Sequence, residues 1–291
     1  MAMKYKFVTE SSTQIFLRSI GYTTILFILT LPVLLIYYSV PLLRVNSVFD
    51  ILFSKWNPDN AVYGLGVFTF TTLLIGLFST FLSFFLGLAI SLFIYRYKNR
   101  FIGKFLKRLV QTMSGIPTVV YGFVGLILLV PLIREYTASP TGLCLLTVIV
   151  TLSIVILPTI VLYIVSSFEM VSKETISASL ALGATKEQLY FYVLLPQAMR
   201  GIVISLILGF SRSISDTMIA LMLSGNSLQF PDTVFKSARN LTSQIALILP
   251  GEFHGTAFKS IFFSALILIA FIFVFNLLIR LLERKDRRNH G

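Results

Sequence analysis

The sequence predicts an all-α, polytopic membrane protein with six spanning helices and both termini in the cytoplasm. Three observations predict it. The 291 residues are 56% apolar and only 12% charged, with a mean hydropathy of +0.88. A soluble domain carries about 25% charged residues, so soluble, disordered and fibrous classes are excluded. Six uninterrupted apolar runs reach the ~20 residues that a helix needs to cross ~30 Å of hydrocarbon. Most of the 24 Lys and Arg residues fall on one side of those runs.

The runs are 21–43, 67–95, 115–133, 143–166, 201–223 and 260–282. A β-barrel would show short alternating segments, so each run is a helix. The first is too long for a signal-peptide core and lacks a small-residue cleavage site, and it is expected to remain as an anchor. On one side lie Lys4, Lys6, Arg18, Arg96, Lys98, Arg100, Lys104, Lys107 and Arg108. Lys173, Lys186, Arg200, Arg280, Arg284, Lys285, Arg287 and Arg288 join them. The other side receives Arg44, Lys55, Arg134, Lys236, Arg239 and Lys259. The positive-inside rule makes the richer side cytoplasmic. The net charge of +12 then follows from topology, with no nucleic-acid partner required. Cys144, the single cysteine, forbids an internal disulfide and sits in the apolar run Leu143 to Leu146 as packing.

Within the spans, Ser79, Ser83, Gly87 and Ser91 stand four apart, as do Gly201, Ser205, Gly209, Ser213 and Thr217. Helices in lipid associate through faces where backbones approach closely, so spans two and five are expected inside the bundle. Pro32, Pro131 and Pro158 are expected to kink or end their helices. After span two, Phe101, Ile102, Phe105, Leu106 and Leu109 recur at helical spacing beside Arg100, Lys104, Lys107 and Arg108. That pattern predicts an amphipathic helix lying in the cytoplasmic interface.

About 35 residues separate spans four and five, more than a turn needs. Ser172 is an N-cap for a helix running to Leu182, and Gly183 supplies the left-handed residue that ends it. Thr185 with Gln188 forms a capping box for a second helix, which ends before Pro196. Ile176, Leu180 and Leu182 place apolar side chains outside the membrane, as a docking surface for a soluble partner would.

The fifth span carries Arg212 and Asp216. Counted from Gly201 at ~1.5 Å per residue, Arg212 lies about 16 Å into the span. Arginine at that depth costs about 2.5–3.5 kcal/mol on insertion scales and must face the bundle or a watery cavity. Asp216, one turn on, is expected to pair with it, and Ser211, Ser213, Ser215 and Thr217 add hydroxyls. Two readings stand. In one, the pair neutralises itself and holds helices in register. In the other, Arg212 is a transient contact for a phosphate or carboxylate, and Asp216 keeps it from binding too tightly.

Gly183, followed after nine residues by Val193–Leu194–Leu195–Pro196, is similar to the cytoplasmic signature of binding-protein-dependent ABC-transporter permeases. That family carries an acidic-Ala-Ala triplet six positions before the glycine. This chain has Ser177–Ala178–Ser179 there, with Glu174 one turn earlier. The resemblance implies the six-helix type I ABC importer transmembrane subunit fold. It also implies that Glu174, Ser177, Ala178, Ser179, Gly183 and Ala184 couple the chain to an ATPase. Arg212, Asp216, Thr217 and Met218, closing in Ser224–Gly225–Asn226, resemble the phosphate-specific permeases, whose pattern has Glu where Asp216 stands. Ser114–Gly115–Ile116–Pro117–Thr118–Val119–Val120–Tyr121–Gly122 is a second match. The run from Asn240 to Leu247 favours the PstC type over its PstA sister.

The resemblance covers roughly residues 60–282. Residues 1–60 make the N-terminal cytoplasmic segment, first membrane helix and extracytoplasmic loop. Residues 61–282 make the transmembrane domain, with the elbow at about 168–196, and 283–291 a basic cytoplasmic tail. What the resemblance implies is a permease of the bacterial or archaeal plasma membrane that passes inorganic phosphate along Arg212, Ser213, Asp216 and Thr217. Its implied partners are a PstA-type sister permease, two copies of a PstB-type cytoplasmic ATPase and a PstS-type extracytoplasmic phosphate-binding protein. No Gly-rich phosphate loop ending in Lys-Ser or Lys-Thr occurs in the sequence, so ATP and Mg²⁺ are expected in the ATPase and no cofactor in this chain. Alternatives are a permease for molybdate, tungstate or an amino acid, or a secondary transporter or channel, which would show internal repeats or ion-coupling acids in several spans. An intramembrane enzyme needs reactive groups at depth. His254 and His290 lie outside the runs, so neither a metal nor a catalytic residue is expected.

Overall fold

The computed structural model describes residues 2–45, 47–60, 62–251 and 255–289, with side chains over 13–44, 47–58, 60, 62–251 and 255–281. His254 and His290, and the side chains of Lys4, Lys6, Arg284, Lys285, Arg287 and Arg288, lie outside the described residues. Helix α1 (Ala2–Val45) leads into a small cap. There Ser47 and Asp50 close a capping box around the start of α2 (Val48–Phe53). A hairpin follows, β1 (Trp56–Asn57) against β2 (Val62–Tyr63), with Trp56 opposite Tyr63.

Then come α3 (Gly66–Arg96) and α4 (Phe101–Ser114). A crossing follows, built from α5 (Thr118–Val124), a π-helical stretch Gly125–Leu129 and α6 (Val130–Tyr136). Helix α7 (Leu145–Glu169) returns to an elbow made of α8 (Lys173–Ala181) and α9 (Lys186–Gln188). A second π-helical stretch, Leu189–Leu194, feeds α10 (Leu195–Ser215), which is followed by α11 (Met218–Leu223). After a loop, α12 (Leu241–Ile248) and α13 (Thr256–Asn289) complete the chain. Among the described residues, six helical segments are long and apolar enough to cross a membrane: Thr13–Arg44, Gly66–Arg96, Thr118–Tyr136, Leu145–Glu169, Lys186–Ser215 and Thr256–Leu281.

Helix α7 is the centre. Its most apolar window is 67% buried, against 33% in Gly66–Arg96 and 28% in Lys186–Ser215. The small-residue faces of spans two and five pack inward as their spacing predicts: Ser79, Ser83, Ser91 and Ser205 are fully buried and Ser213 nearly so. Gly87 of α3 and Gly209 of α10 clasp Ile160 of α7 from two sides, and a Cβ on either would meet it at 2.9 Å. Gly76 faces Ile214 and Gly201 faces Ser167, so α10 runs antiparallel to both α3 and α7. Helix α13 packs on α1, α10 and α12, with Phe210 against Phe275 and Tyr38 stacked on Phe262. None of Pro32, Pro131 and Pro158 ends its helix; Pro131 stands in the first turn of α6, straight after the π-helical stretch.

Of three expected helices, one forms and two differ in extent. The helix over 101–114 forms, with Val110 buried against Val161 and Val165 of α7 and Leu106, Leu157 and Leu162 around it, while Phe101, Ile102, Phe105 and Leu109 stay exposed. The helix over 186–188 does not stop before Pro196. Wide π-helical turns over Leu189–Leu194 carry the chain on, and Pro196 sits in the first turn of α10, where its missing N–H costs little. The fifth span is not one helix over 201–223; it begins earlier and breaks at Asp216 and Thr217.

A broken-helix site beside Arg212

The break has a local cause. Asp216 adopts extended backbone, φ −73° and ψ 122°, and its carboxylate accepts the Ile219 N–H at 2.9 Å. Its carbonyl accepts the Thr242 hydroxyl at 3.0 Å. Aspartate with a short polar arm competes well for backbone donors, which makes it a good cap and a poor mid-helix residue. The cap replaces the expected ion pair. Among the described residues, no Arg212–Asp216 salt bridge forms, although the two remain within electrostatic range.

Arg212 instead donates through Nη1 to the hydroxyl of Thr159 on α7, at 2.8 Å. Thr159 lies about 21 Å along α7 from Leu145 at ~1.5 Å per residue, which puts the guanidinium near the middle of the bundle. Only that one side-chain hydrogen bond is recorded for Arg212 among the described residues. The fork is half-buried and sits in the last turn of α10, where the helix dipole favours a cation.

The other singled-out hydroxyls divide. Ser213 turns away from Arg212 and shares a 2.6 Å hydrogen bond with Ser79 of α3, so it fastens two helices. Thr217 lies in the break, half-buried. Ser215 bonds back to the Ser211 carbonyl at 2.8 Å, and the buried Ser211 hydroxyl has no partner among the described residues.

A second interruption meets the first. Between α4 and α5 the chain breaks at Gly115–Ile116–Pro117, and the Tyr121 hydroxyl bridges it by donating to the Met113 carbonyl at 3.0 Å. Thr118 stands beside the Asp216 carboxylate, and Tyr121 is within electrostatic range of Arg212. Gly122 is held against Met222 and Ile219, which keeps α5 on α11.

A third element closes the far end. Asn240 caps α12 by accepting from the Ser243 N–H at 2.8 Å, and the Leu241 N–H reaches Thr72 of α3 at 3.0 Å. Gly225 and Asn226 make the preceding turn in left-handed backbone, at φ 70° and 56°. Arg239 spans that turn, donating to the Asn226 carbonyl at 3.2 Å and to the Gln244 side chain at 2.9 Å. Burial pulls the Arg239 pKa below the usual arginine value. Gln244 is fully buried, and its amide nitrogen has no partner among the described residues.

Sequence reasoning missed Thr159, Tyr121, Arg239 and Gln244 as neighbours of this region. The signals were a hydroxyl beside Pro158 in an apolar helix, the run Ser114–Gly122 that contains Tyr121, and the polar run after Arg239. No group of three or more His, Cys, Asp or Glu able to hold a metal is found among the described residues.

The elbow forms at the end of the bundle where α3 and α7 also terminate. Ser172 accepts the Thr175 N–H at 3.2 Å, Gly183 takes φ +85°, and Thr185 and Gln188 complete their capping box. Arg96 of α3 holds Glu187 at 3.0 Å. Glu174, Ser177, Ala178 and Gly183 are exposed, while Ser179 and Ala184 are half-buried. Leu182 is 90% exposed, an apolar side chain left uncovered by the described residues.

Residues 84–288 match the family described as "Binding-protein-dependent transport system inner membrane component". The chain is 32% identical over 236 residues to "Probable ABC transporter permease protein YqgH" of Bacillus subtilis (strain 168), covering 80% of this chain and 76% of that protein. It is 25% identical over 215 residues to "Phosphate transport system permease protein PstC" of Haemophilus influenzae, covering 67% and 68%. Among solved structures, the MetNI methionine ABC transporter in an inward-facing conformation superposes with a TM-score of 0.57 at 20% identity, over 73% of this chain and 93% of that one. An amino acid ABC transporter superposes with a TM-score of 0.51 at 20% identity, over 75% and 92%. These two likenesses are of fold.

Proposed function

From the premise that the chain belongs to the binding-protein-dependent transport system inner membrane component family, we propose that it passes inorganic phosphate. It is the permease component of an ABC importer and a multi-pass inner-membrane protein. The finer reading adds the cargo, the orientation and the partners. The elbow end faces the cytoplasm and rests on two PstB-type ATPases. A PstA-type sister completes the pore, and a PstS-type binding protein delivers phosphate to the opposite end. ATP hydrolysis belongs to the ATPases.

One observation carries the cargo assignment: a guanidinium at mid-bundle whose resting partner is a neutral hydroxyl, Thr159, rather than an acid. A carboxylate partner would occupy the fork permanently. A threonine satisfies one N–H and leaves the planar face open to an oxyanion. The flanking helix breaks at 115–117 and 216–217 support it, since irregular backbone at membrane depth is tolerated where it is buried in protein or lines a polar cavity. ATP-driven movement of the elbow would bias these broken crossings between two arrangements of access.

The test is uptake into cells carrying this chain with its partner subunits. Radiolabelled phosphate should accumulate with ATP and resist competition by excess molybdate, tungstate and methionine. Methionine or molybdate uptake without phosphate uptake would replace the cargo and leave the permease role standing.

A further inference from the structure

At the elbow end, away from Arg212, the end of α3, the turn joining it to α4 and the elbow line an open cavity of about 570 Å³. Its lining contains five cations, Arg96, Lys98, Arg100, Lys173 and Lys186, and no acid. Arg96 ends α3, Lys98 and Arg100 follow in the α3–α4 turn, and Lys173 and Lys186 come from the elbow. Glu187 stands outside the lining and pairs with Arg96 alone.

All five cations are solvent-exposed, where long charged side chains ordinarily spread apart. Here aromatic rings hold several of them. The Lys98 ammonium sits 4.2 Å from the centre of the Tyr95 ring. Arg96 lies 5.9 Å from both Tyr97 and Tyr190, and Arg100 lies 5.7 Å from Tyr97. Such contacts orient a cation without neutralising it; Glu187 offsets Arg96, while the other four cations have no ion-pair partner among the described residues.

The same cavity borders the start of α4. Its N-cap, Arg100, makes no side-chain cap bond, and its first turn contains no acid. Free backbone donors and the positive end of a 14-residue helix therefore add to the side-chain charge.

We propose that this cavity binds a phosphate group, carried by an anionic lipid headgroup or by inorganic phosphate, and that occupancy ties the elbow to the α3–α4 turn. Lys173 and Lys186 ride on the elbow, whereas Lys98 and Arg100 belong to the turn. An anion between them opposes any elbow movement that separates the two. If the source is inorganic phosphate, the inference rests on the cargo proposed above, and accumulated product restrains its own importer. The lipid source needs no such premise.

Asn99 also lines the cavity and is exposed, while the native Cys144 is fully buried. Asn99→Cys therefore gives a single reporter thiol in this chain. The assembled importer carrying it is placed in phosphatidylcholine nanodiscs and alkylated with N-ethylmaleimide, a neutral reagent, with the modified peptide followed by mass spectrometry. Millimolar inorganic phosphate, compared with chloride at equal ionic strength, should slow alkylation about threefold if it is present at twice its dissociation constant. Slowing in phosphatidylglycerol-containing nanodiscs without added phosphate identifies the lipid source instead. Lys98→Gln with Lys173→Gln should abolish the effect. If the double variant fails to assemble, Lys173→Gln alone should lose at least part of it. An alkylation rate indifferent to both phosphate and lipid, zero included, overturns the proposal, as does protection that survives the substitutions. Arg212 takes no part in this assay, so its outcome and that of the uptake test separate cleanly.

Discussion

Replacing Arg212 by glutamine tests the site where stability and transport part company. The substitution removes one charge-assisted hydrogen bond to Thr159, 2.8 Å long, worth about 1.5–3 kcal/mol. It also removes an arginine from mid-membrane, which costs about 2.5–3.5 kcal/mol on insertion scales. These terms nearly cancel, and the glutamine amide still reaches toward Thr159. Assembly with the partner subunits should therefore remain near normal. Transport loses more, because no other Lys or Arg lies within residues 201–223 to replace the fork. A charged contact of about 1.5–3 kcal/mol at the limiting step corresponds to about a 10- to 100-fold fall in rate. Arg212→Lys keeps the charge without the fork and should fall between. The assay is ATP-dependent phosphate uptake into proteoliposomes, normalised to complex recovered by affinity purification. Uptake by the assembled Arg212→Gln complex within about threefold of the parent would refute the anion role.

The remaining predictions probe packing, capping, coupling and topology. Gly209→Val forces a branched side chain where even a Cβ meets Ile160 at 2.9 Å, so it should destabilise the complex by about 1–3 kcal/mol; an unchanged thermal transition would contradict the clasp. Asp216→Asn retains a cap and should leave stability within a few tenths of a kcal/mol, whereas Asp216→Ala should lose about 1 kcal/mol; equal damage from both would point to an ion-pair role. Ala178→Arg places a bulky charge on the exposed elbow face and should release ATP hydrolysis from transport, read as ATPase activity without uptake; normal coupling argues against docking there. Gln229→Cys should react with an impermeant maleimide in intact cells, and reaction only after permeabilisation reverses the proposed orientation.

Most of the architecture was legible because membrane helices announce themselves by length and hydropathy. The elbow was legible for a different reason: Ser172, Gly183, Thr185 and Gln188 are local capping signals, and all four do what their spacing predicts. Less legible was which span sits in the middle. The small-residue faces of α3 and α10 marked themselves, yet α7 presents Ile156, Ile160, Val161 and Ile164, all fully buried. Those side chains suit lipid and protein equally, so composition does not separate an interior position from a lipid-facing one. The residues around Arg212 were hidden by distance along the chain. Thr159 reaches it across 53 positions and Thr242 reaches Asp216 across 26, and no helical spacing encodes such contacts. The small cap over 47–65 was passed over, although Ser47 and Asp50 carry a capping-box spacing.

The misjudged pair is the more instructive case. On an unbroken helix, residues four apart share a face, and Arg212 and Asp216 would neutralise each other. That expectation assumed the helix survived its own aspartate. Asp216 instead spends its carboxylate on the Ile219 N–H and its carbonyl on Thr242, ending α10 one residue earlier. Because the acid is committed to backbone, the guanidinium turns to Thr159 and keeps most of its donors uncommitted. The break is the feature of the fold on which the proposed anion role draws. A self-neutralised pair would stabilise the bundle and bind nothing, whereas a capped break leaves a charged fork at depth, beside the interruption that precedes Thr118. Cap formation at one residue therefore sets the chemistry available four residues away.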